Sequence, residues 1–308
     1  MSKRMKVLIG YDGSPYADAA LEDLRLAGLP LTGEAVVVTV GDVLFNPPPE
    51  SRELIESAIE LSRKQDDESR GRAHRMADDA AGRVKEYLPR WDVLPKALTG
   101  SASEELLREA QFLSADLIVV GSRGLNALGR FFLGSVSKVV ATHAPCSVRI
   151  GRQAAGMTDG PRGPRIMVCV DGSAGAARAV RAVGMRRWPK GAEVRLISVD
   201  DGEGPKGIRD VRPDLEDLVA ACSEAPPVDA RLMVEAARMA LAAQGLNVSV
   251  ELLEGDPVEV LIEQARKWDA DSLFVGARGL DSESEEPGLG SVSAKLVTGA
   301  DCTVELVR

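Results

Sequence analysis

Aromatic residues are scarce in this sequence of 308 residues, where they make up 4% of the chain against 44% for all hydrophobic residues. The core must therefore be built from Val, Leu, Ile and Ala. A chain of this length corresponds to about two domains. The hydrophobic fraction, with 28% charged residues, is typical of a globular protein.

Basic residues are also in deficit, with 38 Lys and Arg against 47 Asp and Glu, a net charge of −9 and a pI near 5.0. This balance argues against a protein that binds nucleic acid through a broad basic face, and no nucleic-acid partner is expected. The sequence shows neither a signal-peptide pattern nor a run of eighteen apolar residues. We therefore expect no membrane partner and a cytoplasmic location.

Cysteine and histidine are too few for several kinds of site. The four cysteines form no CxxC pair, and three lie in or beside apolar runs, which favours buried reduced thiols over disulfides or metal ligands. They are Cys146, Cys169, Cys222 and Cys302. Of the two histidines, His74 lies in a charge-rich segment and is expected to be solvated, and His143 follows a predicted helix. The sequence therefore lacks the cysteines and histidines that a zinc site would need, and it lacks a suitable histidine for a Ser-His-Asp triad.

The common phosphate-binding motifs are absent as well. No GxxxxGK[ST] occurs, which excludes a P-loop enzyme, and no GxGxxG follows the first predicted strand, which weakens a dinucleotide-binding interpretation.

What the chain does contain is a regular alternation of strand-like and helix-like segments. Such alternation predicts parallel strands joined by right-handed crossovers, with helices on both faces of the sheet. The predicted strands of the first half are 7–10, 36–40, 93–98, 117–120 and 147–150, and a long helical segment covers 50–87. The fold class is thus α/β, with an open, mostly parallel, Rossmann-like five-stranded sheet.

The second half of the sequence repeats the first. Asp171-Gly172-Ser173 matches Asp12-Gly13-Ser14 at an offset of 159, and three later blocks match at offsets of 155 or 156. Four blocks in one order indicate a tandem duplication. We predict a first domain over 1–152, a glycine-rich linker over 153–163 and a second domain over 164–308. The fifth strands, Ser147 to Ile150 and Thr303 to Val307, are expected to pair as edges of an internal pseudo-dimer.

A glycine motif follows the fourth strand. Gly121 and Gly124 come directly after the apolar run Leu117 to Val120, and Gly134-Ser135 opens a helical segment nine residues later. Glycine allows close approach of a ligand, and a helix N-terminus favours anions, so this G-x2-G-x9-G-S pattern predicts a phosphate site. The alternative is a loop that merely turns the chain.

An aspartate stands at the corresponding position after the first strand. Asp12 lies at the carboxyl end of that strand, the side on which ligands bind in open parallel sheets. Ser14 and Pro15 then provide an N-cap and a first helical residue. Asp12 is either a ligand-binding residue or only a cap of the turn.

Together, the Asp-Gly-Ser turn and the spaced glycine motif resemble the universal stress protein family, in its tandem two-domain form. The resemblance covers nearly the whole chain. It implies a site for ATP with Mg²⁺ in the first domain, and a role in stress response or signalling. The implied cofactor-binding residues are Asp12, Val40, Val120, Gly121, Arg123, Gly124, Gly134, Ser135 and Val136. Among these, Val40 would contact adenine through its backbone and Asp12 would approach the nucleotide and hold its Mg²⁺, while Arg123, with Arg130, would add hydrogen bonds to phosphate.

The second domain departs from the motif. Ten residues, LDSESEEPGL, separate Gly279 from Gly290, and four of them are acidic, whereas the first-domain segment LNALGRFFL carries only Arg130. Negative charge beside a triphosphate is unfavourable. We expect this domain to bind nucleotide weakly or not at all, unless the loop faces solvent or its carboxylates bind a divalent cation.

The leading hypothesis is an ATP-binding stress or signalling protein without a catalytic residue, capable at most of slow ATP hydrolysis. An alternative is an interaction protein that binds a protein or an apolar ligand and no nucleotide. A homodimer of two chains is left open by the sequence.

Overall fold

The computed structural model describes residues 4–41, 52–124, 133–153, 162–201, 230–279 and 288–308. In chain order, the strands β1 to β10 are Met5–Gly10, Gly33–Gly41, Asp92–Thr99, Leu117–Gly121, Ser147–Gly151, Arg165–Cys169, Glu193–Asp200, Asn247–Glu254, Ser272–Gly276 and Thr303–Val307. The helices α1 to α8 are Pro15–Asp23, Arg52–Tyr87, Ala102–Leu113, Ser135–His143, Ala174–Gly184, Ala230–Ala243, Pro257–Lys267 and Ser291–Gly299.

The predicted fold class is confirmed. All strand pairs within each half are parallel, and each half has the order third, second, first, fourth, fifth. The two halves do not form separate sheets, because β5 and β10 pair antiparallel and join them into one ten-stranded sheet. The expected pairing of the fifth strands is therefore observed.

Packing extends several elements beyond their predicted bounds. Strand β2 begins at Gly33 rather than Val36, since Gly33 and Glu34 pair in register with Met5 and Lys6 of β1. Gly33 also fits under the ring of Trp91, where an added Cβ would lie 2.6 Å from the indole. Helix α4 ends at His143, and the prediction that His143 lies just past this helix is therefore wrong.

In the part of the chain that the structure describes, three apolar clusters hold the sheet and helices together. One cluster covers one face along both domains and includes Leu8, Val148, Leu273 and Val304. The opposite face carries a separate cluster in each domain, and the cluster of the first domain includes Leu21. The core is thus continuous between the domains on one face of the sheet only.

Each domain also sends an arginine onto a helix end of the other domain. Arg152, after β5, donates to the carbonyls of Val297 and Cys302 near the end of α8. Arg308, its counterpart after β10, donates to the carbonyls of Ala141 and Thr142 in the last turn of α4. Cations at helix C-termini interact favourably with the exposed carbonyls and the helix dipole.

The antiparallel junction has a geometric consequence for the two glycine loops. Strands of the first domain run parallel to β5 and those of the second run parallel to β10. The carboxyl ends of the strands therefore point in opposite directions in the two domains. The two glycine loops, which follow these ends, lie at opposite edges of the sheet along the strand direction. One ligand cannot contact both loops.

Buried thiols are found where the structure describes cysteines. Cys169 and Cys302 are buried and Cys146 is half-buried, and all three are free; Cys222 lies outside the described residues. Burial raises the pKa of the Cys146 thiol to about 11 and that of Cys302 to about 12.

We predict that these three thiols react slowly in the folded chain, because the thiolate is the reactive form. In a Cys222→Ser variant at pH 8, a disulfide reagent should modify them at least roughly 100-fold more slowly than in the denatured chain, as a pKa shift of about two implies. A thiol of the native variant that reacts at the denatured rate would contradict the burial.

Candidate functional site

The candidate site lies where β1 and β4 end side by side. Strand β1 pairs with β2 on one side and with β4 on the other, so the order of strands reverses between β1 and β4. In open α/β sheets the crevice beyond such a reversal is the usual place of a ligand. The turn after β1 carries Asp12, and the loop after β4 carries Gly124.

The two carboxylate oxygens of Asp12 have different surroundings. Oδ1 accepts a hydrogen bond from the backbone N–H of Ser14 at 3.0 Å, which is the turn cap. Oδ2 faces the glycine loop, since a Cβ added to Gly124 would lie 2.8 Å from it. The capping interpretation is therefore correct for one oxygen, and the other is directed at the predicted binding loop.

Glycine is required at Gly121 for a packing reason. A Cβ there would lie 2.7 Å from the carbonyl carbon of Tyr16 and 2.8 Å from the nitrogen of Ala17, both in the first turn of α1. Only a residue without a side chain lets β4 end this close to α1. The glycine thus brings the two loops of the site together.

Helix α4 begins against the glycine loop. Gly134 is its N-cap residue and donates its N–H to the carbonyl of Ser122 at 2.9 Å, while Ser137 donates its hydroxyl to the carbonyl of Gly121 at 2.6 Å. Within the described residues, no side chain caps the first turn. Ser135 is exposed and Val136 is half-buried. The helix presents backbone N–H groups of the kind that bind anions.

Arg123 has a partner that the sequence analysis did not foresee. Its guanidinium lies 5.1 Å from the centre of the Tyr16 ring and donates to the Tyr16 hydroxyl at 3.1 Å. This contact holds the side chain beside α1. A hydrogen bond from Arg123 to phosphate stays a prediction, and Arg130 lies outside the described residues.

Val40 and Val120 lie next to the last residues of β2 and β4. The pairing of β1 with β2 ends with Gly10 opposite Val38, so Val40 extends beyond β1. Val40 is half-buried, whereas Val120 is 3% exposed and belongs to the shared core. The hydroxyl of Thr39, next to Val40, is buried and meets no hydrogen-bond partner among the described residues.

The sequence did not predict a group of three interacting side chains that lies next to the Asp12 turn. The hydroxyl of Tyr11 donates to Asp18 of α1 at 2.8 Å, and Arg83 of α2 binds the same carboxylate. Burial and the hydrogen bond to Asp18 raise the pKa of Tyr11 to about 12. Three elements are thereby tied together next to Asp12. Tyr11 directly precedes Asp12 in the sequence, but nothing in the sequence indicates that Asp18 and Arg83 are the partners of Tyr11.

The second domain repeats the frame of the site. Asp171 caps its turn at 2.9 Å, and a Cβ added to Gly279 would lie 2.8 Å from its other oxygen. Gly175 occupies the position of Tyr16, and a Cβ there would lie 2.1 Å from the carbonyl oxygen of Arg278. The arginine of this loop therefore has no tyrosine beside it at that position. The acidic residues 281–286 lie outside the described residues.

The family model of the universal stress proteins matches residues 3–152 and again residues 164–308. Two consecutive matches account for nearly the whole chain. The chain belongs to the universal stress protein family.

Known universal stress proteins resemble this one at two levels. One from Thermus aquaticus is 35% identical over 150 residues, which is 47% of this chain and 97% of that protein. The crystal structure of a universal stress protein from Archaeoglobus fulgidus superposes over 98% of both chains with a TM-score of 0.62 and 20% identity. A functionally unknown protein from Pseudomonas aeruginosa covers 99% of this chain and 92% of its own, with a TM-score of 0.57 and 16% identity. The two structures support the fold alone.

Two further observations concern the part of this universal stress protein that the structure describes. No three of its His, Cys, Asp or Glu side chains come together as a metal-binding group. None of its helices there combines the length and the apolar character needed to cross a membrane.

We predict that Ser14→Ala lowers the free energy of unfolding by about 1 kcal/mol, because a capping hydrogen bond is lost. The Ser14 hydroxyl is fully buried and accepts from the N–H of Ala17 at 3.1 Å. Chemical denaturation would measure the effect.

Two variants serve as controls for this prediction. Ser173→Ala removes the matching bond to Ala176 and should cost a similar amount. Ser101→Ala should be nearly neutral, since the exposed Ser101 hydroxyl makes no capping bond among the described residues. Equal effects of Ser14→Ala and Ser101→Ala would contradict the prediction.

Proposed function

We propose that the first domain binds ATP with Mg²⁺, and that the protein acts in the cytoplasm in stress response or signalling. The observation that supports this most is the meeting of three features at the reversal of strand order. They are the Asp12 carboxylate, the glycine loop it faces and the N-terminus of α4, which no described side chain caps.

Each of these features suits one part of a nucleotide. The backbone N–H groups of Ser135 and Val136 would hold the phosphates, because a helix N-terminus favours negative charge. Gly134, whose own N–H is bound to the Ser122 carbonyl, would let the phosphates approach the helix. Gly121 and Gly124 would let the ribose and phosphates approach the backbone. Val40, which extends beyond the part of β2 that pairs with β1, would offer its backbone to adenine. It lies next to the Thr39 hydroxyl, which has no hydrogen-bond partner among the described residues.

A magnesium ion fits this site only together with the nucleotide. The Asp12 carboxylate is directed at the loop, and no group of three potential metal ligands occurs among the described residues. Mg²⁺ is usually held by one or two carboxylates plus phosphate oxygens and water. Asp12 would thus supply one ligand, and the ion would neutralise charge on the phosphates. For its own part, the protein binds and orients the nucleotide, with hydrolysis at most slow.

The second domain is proposed to be the weaker site. Its backbone frame matches that of the first domain, but Gly175 replaces Tyr16 beside the loop arginine. The loop sequence also replaces Arg130 by Asp281, Glu283, Glu285 and Glu286. The change of loop sequence replaces positive by negative charge near the phosphates and acts against a polyanion.

We predict that Mg·ATP stabilises the chain against thermal unfolding and that Gly124→Val abolishes this effect. The added side chain would occupy the space in front of the Asp12 carboxylate. At 100 times the dissociation constant, one bound ligand adds about 2.7 kcal/mol. Calorimetric titration would give the stoichiometry, expected to be one high-affinity site per chain.

Gly279→Val is the matched control, because a Cβ at Gly279 meets the Asp171 carboxylate at the same distance of 2.8 Å. The two variants carry similar local strain, but only Gly124→Val should lose the ATP-dependent stabilisation. Loss in both variants, or two equivalent sites in the unmodified chain, would refute the proposed asymmetry. No stabilisation of the unmodified chain by any adenine nucleotide would favour the interaction protein that binds no nucleotide.

A further inference from the structure

Four charged side chains lie in a row across the junction of the two domains. Arg149 of β5 donates to both carboxylate oxygens of Asp23 in α1, at 2.5 and 2.9 Å. Its remaining nitrogen binds Glu305 of β10 at 3.0 Å, and Glu305 in turn binds Arg186. The order of charges is negative, positive, negative, positive. We call Asp23, Arg149, Glu305 and Arg186 the junction charges.

The junction charges are shielded from water. Asp23, Arg149 and Glu305 are at most 1% exposed, and the side chain of Arg186 is 8% exposed. Arg186 also donates to the carbonyl of Ala27 at 2.6 Å, and the Thr303 hydroxyl donates to Asp23 at 2.9 Å. Every member of the row therefore has its charge balanced by hydrogen-bonded partners inside the protein.

Arg149 and Glu305 occupy the same position in the two repeats. Their offset of 156 is that of the surrounding repeat, and they face each other directly where β5 pairs with β10. On either side, Val148 faces Leu306 and Ile150 faces Val304. The local two-fold relation between the domains thus passes between these two charges, as it would in a pair of identical domains.

The repeats differ at the positions that supply the outer charges. The residue of the second domain that corresponds to Asp23 is Ala182, and the residue of the first domain that corresponds to Arg186 is Ala27. The first domain contributes only Asp23 and Arg149, and the second only Glu305 and Arg186. The apolar neighbours, in contrast, are similar in both repeats.

We infer that the junction charges select the pairing of the first domain with the second and disfavour the pairing of either domain with its own copy. Two first domains joined through β5 would bring two Arg149 side chains together, in the order negative, positive, positive, negative. Two second domains joined through β10 would bring two Glu305 side chains together. Alternation of charge is obtained only when the domains differ.

Burial makes this discrimination effective. A like-charge contact in a buried place is not screened by water or salt, and its repulsion is far larger than at the surface. Buried ion pairs often add little net stability compared with apolar residues, and fixing which partners pair is a better-supported role. The matching apolar rows of β5 and β10 supply the attraction, and the charges choose the partner.

The same contacts can form within one chain or between two chains. In the sheet, β5 is separated from β6 by β10 and β9, a distance of three strand spacings of about 4.8 Å each. Residues 152–164 are ample to cross that distance. Covalent connection therefore favours closure within the chain, and variants that forbid this closure should reveal pairing between chains.

The test uses two full-length variants. Glu305→Arg places an arginine opposite Arg149, and Arg149→Glu places a glutamate opposite Glu305, so neither variant can form the junction within itself. When they are mixed, the first domain of the Glu305→Arg chain and the second domain of the Arg149→Glu chain restore the four original charges. Native mass spectrometry, with one variant isotopically labelled, should detect a heterodimer in the mixture. Either variant alone should give at least ten times less dimer.

Stability measurements keep the inference testable if either reversal fails to fold. Glu305→Gln removes the charge without creating a like-charge contact. Glu305→Arg should melt roughly 10 °C below the unmodified chain, and its melting temperature should also lie below that of Glu305→Gln. Glu263→Arg reverses an exposed carboxylate that pairs with Lys267 at 2.8 Å and should melt within about 1 °C of the unmodified chain. The inference is supported if heterodimer forms in the mixture and neither variant dimerises by itself. It is also supported if the two charge-reversal variants fail to fold while Glu305→Gln folds. Equal melting of Glu305→Arg and Glu305→Gln, or no heterodimer from two folded variants, would overturn it.

Discussion

The buried guanidinium of Arg149 is the contact on which the two-domain arrangement depends. It binds Asp23 of its own domain and Glu305 of the other, in the middle of the strand pair that joins the sheets. A buried arginine is tolerated only if its donors are used, and here two carboxylates use them. Removing either carboxylate would leave charge uncompensated inside the protein.

This junction determines how the two glycine loops are arranged. Since β5 and β10 run antiparallel, the strands of the two domains point in opposite directions, and the two loops lie at opposite edges of the sheet. They are nevertheless joined by structure, because Arg152 and Arg308 each bind the C-terminal end of the helix that begins at the other domain's loop. The two loops are therefore separate in space, while the duplicated domains are connected through packing.

Duplication has preserved the backbone of the sites more strictly than their side chains. Asp12 and Asp171 cap their turns in the same way, and a Cβ added to Gly124 or Gly279 would lie 2.8 Å from the second oxygen of the respective carboxylate. The side chains around them have diverged, with Tyr16 corresponding to Gly175. A backbone frame can bind an anion by itself, but charge and aromatic contacts decide how strongly. The proposed difference in nucleotide binding between the two domains rests on such side-chain differences.

The sequence by itself determined the features that arise from short stretches of chain. Apolar runs such as Leu117 to Val120 form strands because their pattern buries them on both faces, and Ser14 caps α1 because its neighbours form the first turn. The repeat, the parallel fold and the place of Asp12 and Gly124 at the strand ends followed from such local signals. The strand bounds were less accurate, because Gly33 and Glu34 become strand residues only by pairing with β1.

Only the tertiary structure decided which distant charged residues meet. Arg149 lies in an apolar strand, and nothing in its neighbours indicates that Asp23 and Glu305 surround it. In the same way, Arg123 is predicted from sequence to face phosphate, but the fold places Tyr16 beside it. Backbone conformation depends on a few adjacent residues, and the sequence therefore predicts it. The partner of a buried charge depends on which surfaces the whole chain brings together, and that information appears only once the chain has folded.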